Sequence, residues 1–418
     1  MNLAESFDQK TKSLAVASTN DRPHYATQII KEAGELGVYP AAIRPLYQAM
    51  GRGEIDPLTV PAFNLRGLTY QLARVIWRTV LQLKGGPVLF ELAPSECEIG
   101  DQSLAEFAAM VMAAAAREGY QGPVFLQGDH FAIGCAQEEE AMLQLARQAL
   151  ASGFYQIDID GSHLPGKVTS DLQDLHRPNA EVTARMIKTL RASQPAGVEL
   201  VLGGEVGEIG GENTSVRDLD TFQALLNQRL LPVTVGLDKI SAQTGTTHSG
   251  IVLPDGSTGK MNVDFALVAA LAQAARRLGW NGLVQHGAST LSLEDLAKLP
   301  AAGVIEVHLA TQIQNIVFDH PAFPAPLRKS MQDRLVSTSR TAEGDSLPEN
   351  GQLSSAQQFY KARWAAWGLY KNELWALTPS TLAPIEASLG EWVADVLRAL
   401  QVVDRQELIS RYFSGRRI

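Results

Sequence analysis

Three histidines are placed where they could bind one metal ion. The chain has eight histidines, and His130, His248 and His286 each lie at or just beyond the end of a short apolar run that predicts a β-strand. Three imidazoles leave a zinc ion one open coordination position, and neutral imidazole also suits cobalt or iron. An open site makes the ion a Lewis acid that can polarise a carbonyl group.

Three carboxylates have equivalent positions. Asp129, Asp160 and Glu205 also lie at the ends of predicted strands. A single histidine in such a fold is more often structural than functional, so the argument depends on the whole group. Three imidazoles beside three acids predict a metal site.

Eight alternations of strand and helix would bring these residues together. The predicted strands, rich in Val, Ile, Leu and Phe, are 58–63, 87–92, 123–128, 154–159, 198–205, 232–238, 282–286 and 303–309. Helical patterns fall between them, for example at 69–83, 102–117, 136–151, 179–193, 216–228, 262–278 and 292–299. Eight repeats favour a closed (β/α)8 barrel over a doubly wound sheet, and no glycine-rich dinucleotide fingerprint follows the first strand. Since the carboxyl ends of all barrel strands lie at one mouth of the barrel, residues distant in sequence converge there.

The predicted barrel covers 56–319 and has a helical extension on each side. An N-terminal extension covers 1–55. A C-terminal extension, 320–418, has a polar segment at 340–356, expected to be mobile, and helices at 357–376 and 381–401. We expect it to cover a barrel end or to form a subunit interface.

Composition excludes several classes of protein. The chain has 418 residues, is 45% hydrophobic and carries a formal net charge of −9, which disfavours nucleic acid and anionic membranes as partners. Two cysteines, Cys97 and Cys135, exclude a disulfide framework and suit a reducing cytosol. We find neither an apolar run of about 18 residues nor a signal peptide, and expect a cytoplasmic protein.

Seven strings resemble, in order, those of the class II, metal-dependent ketose-bisphosphate aldolases, which include the fructose- and tagatose-bisphosphate enzymes. They are TVPAFNLRG (59–67), QGDH (127–130), IDGSHLP (159–165), EVGEIGGEN (205–213), GTTHSG (245–250), QHGAS (285–289) and HLATQIQ (308–314). Each string alone is a weak signal, but seven in the right order strongly indicate the fold and a metal site.

The resemblance implies a ligand set. His130, His248 and His286 would hold the metal, with Glu205 and Asp160 as alternate or second-site ligands. The ion would be Zn²⁺, or another divalent metal such as Co²⁺, Fe²⁺ or Mn²⁺, with a possible second or monovalent cation.

The resemblance also implies reversible aldol cleavage of a ketose phosphate or bisphosphate to a dihydroxyacetone-phosphate-like ketone and an aldehyde. A cation beside the ketone stabilises the enediolate, and a carboxylate must take the proton of the carbinol oxygen. Asp129 would be that carboxylate, while Glu208 and Glu212 are candidates for exchanging the carbon-bound proton. We find no convincing strand-borne lysine for a Schiff base.

Substrate contacts are expected around the same mouth. The backbone at Gly287 and the hydroxyls of Ser289 and Thr311 could cradle a phosphate. The full set of candidates is Asn64, Ser249, Gly250, Lys260, Gly287, Ser289, His308 and Thr311.

Several positions depart from the family pattern, and they concern the substrate. The family's phosphate-binding lysine is absent, and Lys260 is the nearby alternative. His308 stands in place of an asparagine, and Glu91, an unpaired acid, in place of a glutamine. A less cationic pocket leaves open a monophosphate or an acidic ketose derivative, with Arg363 of a neighbouring subunit as a candidate cation.

Two other functions stay open. One is a different metal-dependent barrel enzyme, such as a hydrolase or epimerase, although the His-x-His pair of amidohydrolases is absent from the first strand. The other is a divergent, non-catalytic paralogue that binds a sugar phosphate, against which the retained histidines and Asp129 argue. The expected partner is a small sugar phosphate, in a homodimer or homotetramer.

Overall fold

Eight parallel strands close into a barrel. The computed structural model describes residues 3–135, 137–164, 171–207, 211–232, 234–246, 251–254, 258–259, 263–337 and 354–413. After a short strand β1 (Val38–Pro40), the barrel strands are β2 (Val60–Asn64), β3 (Leu89–Leu92), β4 (Gly122–Ala132), β5 (Phe154–Asp160), β6 (Val201–Val206) and β7 (Lys239–Ala242). A hairpin, β8 (Ile251–Val252) and β9 (Thr258–Gly259), precedes the last two, β10 (Leu283–Gln285) and β11 (Val304–Leu309). Pairing of β11 with β2 and of β4 with β5 closes the ring and confirms the (β/α)8 prediction.

Helices alternate with the strands and extend beyond them. The N-terminal helices are α1 (Leu3–Val16), α2 (Arg22–Glu35) and α3 (Arg44–Gly51). Around the barrel lie α4 (Thr69–Gln82), α5 (Pro94–Ile99), α6 (Leu104–Arg117), α7 (Glu139–Ala151), α8 (Leu172–Ser193), α9 (Val216–Arg229), α10 (Phe265–Arg277), α11 (Leu293–Leu296), α12 (Leu299–Ala302) and α13 (Thr311–Phe318). The C-terminal helices are α14 (Ala325–Ser337), α15 (Ser355–Ala362), α16 (Ala366–Leu369), α17 (Lys371–Trp375), α18 (Pro379–Ala399) and α19 (Gln406–Phe413). No helix in the described ranges is both long and apolar enough to span a membrane.

The predicted sixth strand was wrong. The described residues of the apolar run 232–238 form a loop in which Val235 is 48% exposed, and the strand lies immediately after them at β7. The apolar pattern was misleading because β7 begins with a lysine, whose side chain is fully buried. The other seven predicted strands overlap observed barrel strands.

Several predicted helices differ in extent. Helix α8 begins at Leu172 and continues through Pro178, earlier than the predicted 179. The predicted helix 292–299 divides into α11 and α12 at Lys298. The predicted helix 357–376 is a series of short helices, and much of the segment 340–356 lies outside the described residues.

The N-terminal extension closes the amino end of the barrel. Strand β1, which the helical prediction missed, pairs in parallel with the start of β4. The Ile43 backbone N–H donates to Gln156 Oε1 at 3.0 Å, and the Tyr47 hydroxyl, fully buried on α3, donates to the Glu306 carboxylate inside the barrel. These polar contacts satisfy interior groups that would otherwise be buried without partners.

Part of the C-terminal extension lies over the opposite, carboxyl end. Gln357 Nε2 donates to the Val252 carbonyl of the β8–β9 hairpin at 2.9 Å. The Trp367 ring lies against Gly67, where a Cβ would approach within 2.5 Å of the indole, so only glycine allows this contact. The same indole donates from Nε1 to Gln314 Oε1 at 3.1 Å.

A bulge in β4 places two neighbouring residues at the mouth. In a regular strand, Asp129 and His130 would point to opposite faces. Pairing of β4 with β5 shifts register between Gly128 and Phe131, and His130 adopts a left-handed backbone with φ of 42°. Such strain in a non-glycine residue costs on the order of 1–3 kcal/mol and persists only where its surroundings enforce it. Here the Phe131 ring fills the space beside Gly128, at 2.3 Å from where a Cβ would lie.

Replacing Gly128 with alanine tests the packing of this bulge. The added methyl overlaps the Phe131 ring, and overpacking of this kind typically costs about 1–3 kcal/mol. We expect Gly128→Ala to lower the free energy of unfolding by that amount, measured by urea denaturation. Gly34→Ala is the control, because nothing lies within 4 Å of the new methyl. A Gly128→Ala protein as stable as the wild type would contradict this packing.

Candidate metal centre

Three side chains from three strand ends meet at the barrel mouth. Within the described residues, His130 of β4, Glu205 of β6 and His286 after β10 offer donor atoms that all lie within 4.8 Å of one another. His130 Nδ1 is 3.0 Å from Glu205 Oε2, and His286 Nδ1 is 3.8 Å from Glu205 Oε1. The two imidazole rings meet edge to face with centroids 4.4 Å apart.

These separations fit a shared metal ion. Nitrogen and oxygen ligands about 2.0–2.1 Å from a tetrahedral zinc ion are roughly 3.3 Å from one another. The observed values of 3.0 and 3.8 Å bracket that distance. Two imidazoles and a carboxylate are also a donor set that zinc and related divalent metals accept.

Asp160 flanks this cluster from the end of β5. Its Oδ1 accepts hydrogen bonds from the Ser162 backbone N–H at 2.9 Å and the Ser162 hydroxyl at 2.6 Å. Its Oδ2 lies 3.5 Å from His130 Nδ1 and 3.3 Å from His163 Nε2. Asp160 is therefore fixed beside the candidate ligands with one oxygen turned towards them.

The electrostatics of the cluster favour bound positive charge. Burial and the charge of Asp160 raise the pKa of Glu205 to about 7. Burial alone would lower the pKa of His130, but the carboxylates of Asp129 and Glu205 raise it well above its usual value. Carboxylates crowded away from water thus compete for protons, which a divalent cation would displace.

Some predicted ligand and substrate residues are not described. His248, the third predicted imidazole, lies outside the described residues, as do Ser249, Gly250, Lys260 and Glu208. Their placement at the mouth stays a prediction from the sequence. Glu212 is described and lies exposed on the loop after β6.

Asp129 points into a second polar cluster, deeper in the barrel. Its Oδ1 is 3.2 Å from His308 Nδ1 and 3.7 Å from His130 Nε2. His308 Nδ1 is also 3.2 Å from Glu91 Oε2, and Gln127 Nε2 donates to the same Glu91 oxygen at 3.0 Å. Our interpretation of Glu91 as an unpaired acid was therefore wrong, because the two departures from the family pattern, Glu91 and His308, contact each other.

A buried lysine lies at the centre of the barrel. Lys239, which begins β7 and is fully buried, has its Nζ 2.5 Å from Glu306 Oε1, 2.9 Å from Asp158 Oδ1 and 2.7 Å from Gln127 Oε1. The sequence did not place Lys239 on a barrel strand, because this lysine directly follows the run 232–238 that we had assigned as the strand itself.

The lysine is held as an ammonium ion. Burial opposes its charge, but Asp158 and Glu306 outweigh burial and raise the pKa of Lys239. Burial likewise opposes charge on Glu306, yet Lys239 and His308 lower the pKa of that carboxyl to about 2. A protonated amine with two carboxylate partners is not a nucleophile for a Schiff base.

A second set of possible metal donors includes Asp158, which is paired with Lys239. Donor atoms of Asp129, Asp158, His286 and His308 also lie within 4.8 Å of one another. The Lys239 ammonium lies 2.9 Å from Asp158 and already neutralises this carboxylate. A metal ion held by this second set of donors would therefore be stabilised less. His130, Glu205 and His286 are therefore the stronger candidate centre.

The predicted phosphate cradle is compact. Ser289 and Thr311 are buried, and the Thr311 backbone N–H donates to the Ser289 hydroxyl at 3.2 Å. Gly287 has a φ of 65°, a left-handed conformation that glycine adopts without strain. These residues join the ends of β10 and β11 at the mouth, next to His286.

Arg363 is not available to a neighbouring subunit. Its guanidinium, 3% exposed, donates to Asp319 Oδ1 and Asn315 Oδ1 at 2.6 Å each and lies 4.2 Å from the Tyr360 ring centroid. The hypothesis that it reaches a partner's pocket was wrong, because it attaches the C-terminal segment to α13 and the turn after it.

Sequence similarity relates this barrel to a known enzyme family. Residues 50–351, more than half of the chain, match the family described as fructose-bisphosphate aldolase class II. The chain belongs to this family. Class II aldolases are generally dependent on a divalent metal, in agreement with a buried cluster of acidic and histidine side chains that could bind one.

Solved structures share the fold at low sequence identity. Fructose-bisphosphate aldolase from Campylobacter jejuni is 16% identical, with a TM-score of 0.52 over 88% of this chain and 97% of that one. Fructuronate-tagaturonate epimerase UxaE from Cohnella laeviribosi is 13% identical, with a TM-score of 0.59 over 92% and 86%. A probable tagatose 6-phosphate kinase from Sinorhizobium meliloti is 14% identical, with a TM-score of 0.54 over 84% and 99%. At these identities the likeness establishes the fold alone.

Removing the central ammonium tests the interior of this class II aldolase family member. Lys239→Met leaves Asp158 and Glu306 buried without their cation, and breaking a buried pair in this way typically costs about 3–5 kcal/mol. We expect a loss of that size in the free energy of unfolding, measured by guanidinium denaturation. Adding Glu306→Gln should recover part of it, because one unpaired charge is removed. A single variant as stable as the wild type would contradict the role of Lys239.

Proposed function

We propose that the protein is a metal-dependent aldolase that reversibly cleaves a ketose phosphate to a dihydroxyacetone-phosphate-like ketone and an aldehyde. The observation that carries the proposal is the convergence of His130, Glu205 and His286 within 4.8 Å at the barrel mouth, beside Asp129 and Asp160. Membership of the class II family supports an aldolase-type activity.

The proposed ligands are His130, His286 and His248, with Glu205 and Asp160 as alternate ligands. A divalent cation held there, Zn²⁺ or a related metal such as Co²⁺, Fe²⁺ or Mn²⁺, supplies the Lewis acidity that stabilises an enediolate. Glu205 lies between the two imidazoles, with Oε2 3.0 Å from His130 Nδ1 and Oε1 3.8 Å from His286 Nδ1. The bulge at His130 fixes the direction of its ring relative to Asp129.

Asp129 is proposed to take the proton of the hydroxyl on the carbon that becomes the aldehyde. Asp129 is 94% buried, so little of this carboxylate contacts water. A bound substrate would exclude the water that remains. His308 Nδ1, 3.2 Å from Asp129 Oδ1, holds the orientation of this carboxylate. Lys239 is engaged with Asp158 and Glu306, which argues against a Schiff-base route.

The remaining assignments are proposals of the same kind. Gly287, Ser289 and Thr311 would bind the phosphate of the ketone fragment, and Asn64 and His308 would contact substrate hydroxyls. Glu208 and Glu212 remain the candidates for exchange of the carbon-bound proton. A homodimer or homotetramer and a cytoplasmic location stay predictions.

The function is tested by metal content and product analysis. Elemental analysis of the purified protein should find about one divalent metal per chain. A panel of ketose phosphates, ketose bisphosphates and ketouronates should then yield an aldehyde in a chelator-sensitive reaction. Release of an epimer without an aldehyde would favour an epimerase on the same metal, and metal binding without any product would favour a non-catalytic sugar-phosphate binder.

Ligand substitutions test the metal site directly. His286→Ala and Glu205→Ala should each reduce bound metal well below one per chain and abolish cleavage, because each removes one of three described donors. The same result is expected for His248→Ala. His24→Ala is the control, since His24 is an exposed helical residue. Stoichiometric metal in the Glu205 and His286 variants would refute the assignment, whatever their activity.

Asp129→Asn separates proton transfer from metal binding. The variant keeps the shape of the side chain but removes its basicity, so metal content should stay at the wild-type level. The turnover number should fall by roughly 10²-fold or more, the usual scale for a general acid–base group. Asp333→Asn, at an exposed position on α14, is the control. Near-normal turnover of the Asp129 variant would remove this residue from the mechanism.

A further inference from the structure

Cationic side chains are scarce at the barrel mouth. The loops between each strand and the next helix contain only three lysines or arginines, namely Arg66, Lys167 and Lys260. Lys167 and Lys260 lie outside the described residues. Arg66, two residues beyond the end of β2, is therefore the one lysine or arginine of these loops whose surroundings are described.

Arg66 is held by a buried carboxylate that also accepts two other hydrogen bonds. Arg66 Nε donates to Glu96 Oε1 at 2.6 Å, and Glu96 is only 6% exposed. The other carboxylate oxygen, Oε2, accepts from Asn64 Nδ2 at 2.8 Å and from the Ala93 backbone N–H at 2.9 Å. Three donors therefore fix Glu96, and Glu96 fixes the orientation of the guanidinium.

The two terminal nitrogens of the Arg66 guanidinium are available to bind a ligand. Neither terminal nitrogen of Arg66 makes a hydrogen bond with any described residue, and the side chain is 19% exposed. Two parallel N–H groups on a planar guanidinium match the two oxygens of a phosphate or carboxylate. Asn64 beside it has a buried Oδ1 without a hydrogen-bond partner, which can accept from a substrate hydroxyl.

The position of Arg66 suits an elongated substrate. In the barrel order, β2 is four strands from β6 in either direction, so Arg66 and Glu205 lie on opposite sides of the mouth. The Trp367 indole covers Gly67, next to Arg66, and reduces the access of water to this side. An anion bound here would be partly desolvated, which strengthens its interaction with the guanidinium.

Other cations near this end of the barrel are already paired. Lys371 Nζ lies 2.8 Å from Glu106 Oε1, and Arg363 is bound to Asp319. Lys239 is engaged deeper in the barrel with Glu306 and Asp158. Among these four described cations, Arg66 alone combines partial exposure with unbonded terminal nitrogens.

We propose that Arg66 binds the anionic end group of the substrate, a phosphate or a carboxylate, and thereby selects acidic ketose derivatives over neutral sugars. This inference rests on the proposed function for the reaction at the other end of the substrate. The family's phosphate-binding lysine is absent from this chain. Arg66, which follows a different strand, supplies positive charge in its place. Its side chain acts in binding and takes no part in proton transfer.

Calorimetric titration with non-cleavable probes tests the proposal. Glycerol 3-phosphate and glycerate carry the two anionic groups, and glycerol is the neutral reference. Arg66→Met should weaken binding of at least one anionic probe by roughly 10- to 100-fold, the scale of hydrogen bonds to a charged group, and leave glycerol unchanged. The probe that loses affinity identifies the group as phosphate or carboxylate.

Two further variants keep the result interpretable. Arg66→Lys retains a cation beside Glu96 but loses the planar fork, so it should fold normally and bind the anion with intermediate affinity. Arg74→Met is the matched control, because Arg74 is 20% exposed and pairs with Glu118 at 2.7 Å on the outer helix α4. It should bind both anions as the wild type does.

The outcomes separate this inference from the proposed function. If the wild type binds neither anion, or if Arg66→Met and Arg66→Lys bind both as tightly as the wild type, the inference is overturned. If anion binding depends on Arg66 but no ketose is cleaved, the proposed function fails and the anion site stands. For an active enzyme, Arg66→Met should raise KM for an anionic ketose and leave kcat nearly unchanged.

Discussion

The interior of this barrel depends on one buried ammonium ion. Barrels of this type are usually filled by layers of apolar side chains, but here Gln127, Asp158 and Glu306 surround Lys239. Without a cation at the centre, two carboxylates would be buried as uncompensated charges, a state that proteins rarely tolerate. The Tyr47 hydroxyl, from the N-terminal extension, also donates a hydrogen bond to the Glu306 carboxylate. The extension is thus part of the barrel's polar core.

That core supports the mouth above it. Glu306 contacts His308, His308 contacts Asp129, and Asp129 is adjacent to His130, so a continuous polar chain connects Lys239 to the candidate metal centre. The departures from the family pattern at Glu91 and His308 belong to this chain and contact each other. Because these two side chains lie 3.2 Å apart, a change at one of them alters the surroundings of the other.

Backbone geometry decides which side chains reach the mouth. The bulge in β4 directs both Asp129 and His130 towards the same opening, although they are neighbours in sequence. The C-terminal segment covers the opposite rim, where Trp367 lies against Gly67. One side of the mouth therefore presents acids and imidazoles, and the other presents Arg66 under a partial cover. This asymmetry is suited to a substrate with a reactive ketone at one end and an anion at the other.

The sequence alone determined the fold and most of the metal-binding candidates, because parallel barrel strands are apolar runs whose carboxyl ends share one mouth. It placed His130, His286, Glu205, Asp129 and Asp160 at those ends, where the structure has them. It could not place β7, since a strand that begins with a buried lysine lacks the apolar signature, nor detect that Glu91 and His308 form a pair across two strands. Such pairings depend on the register and closure of the sheet. The burial of Arg363 and the unbonded terminal nitrogens of Arg66 also depend on tertiary contacts. Tertiary structure alone decided which charges are neutralised inside and which remain available for a ligand.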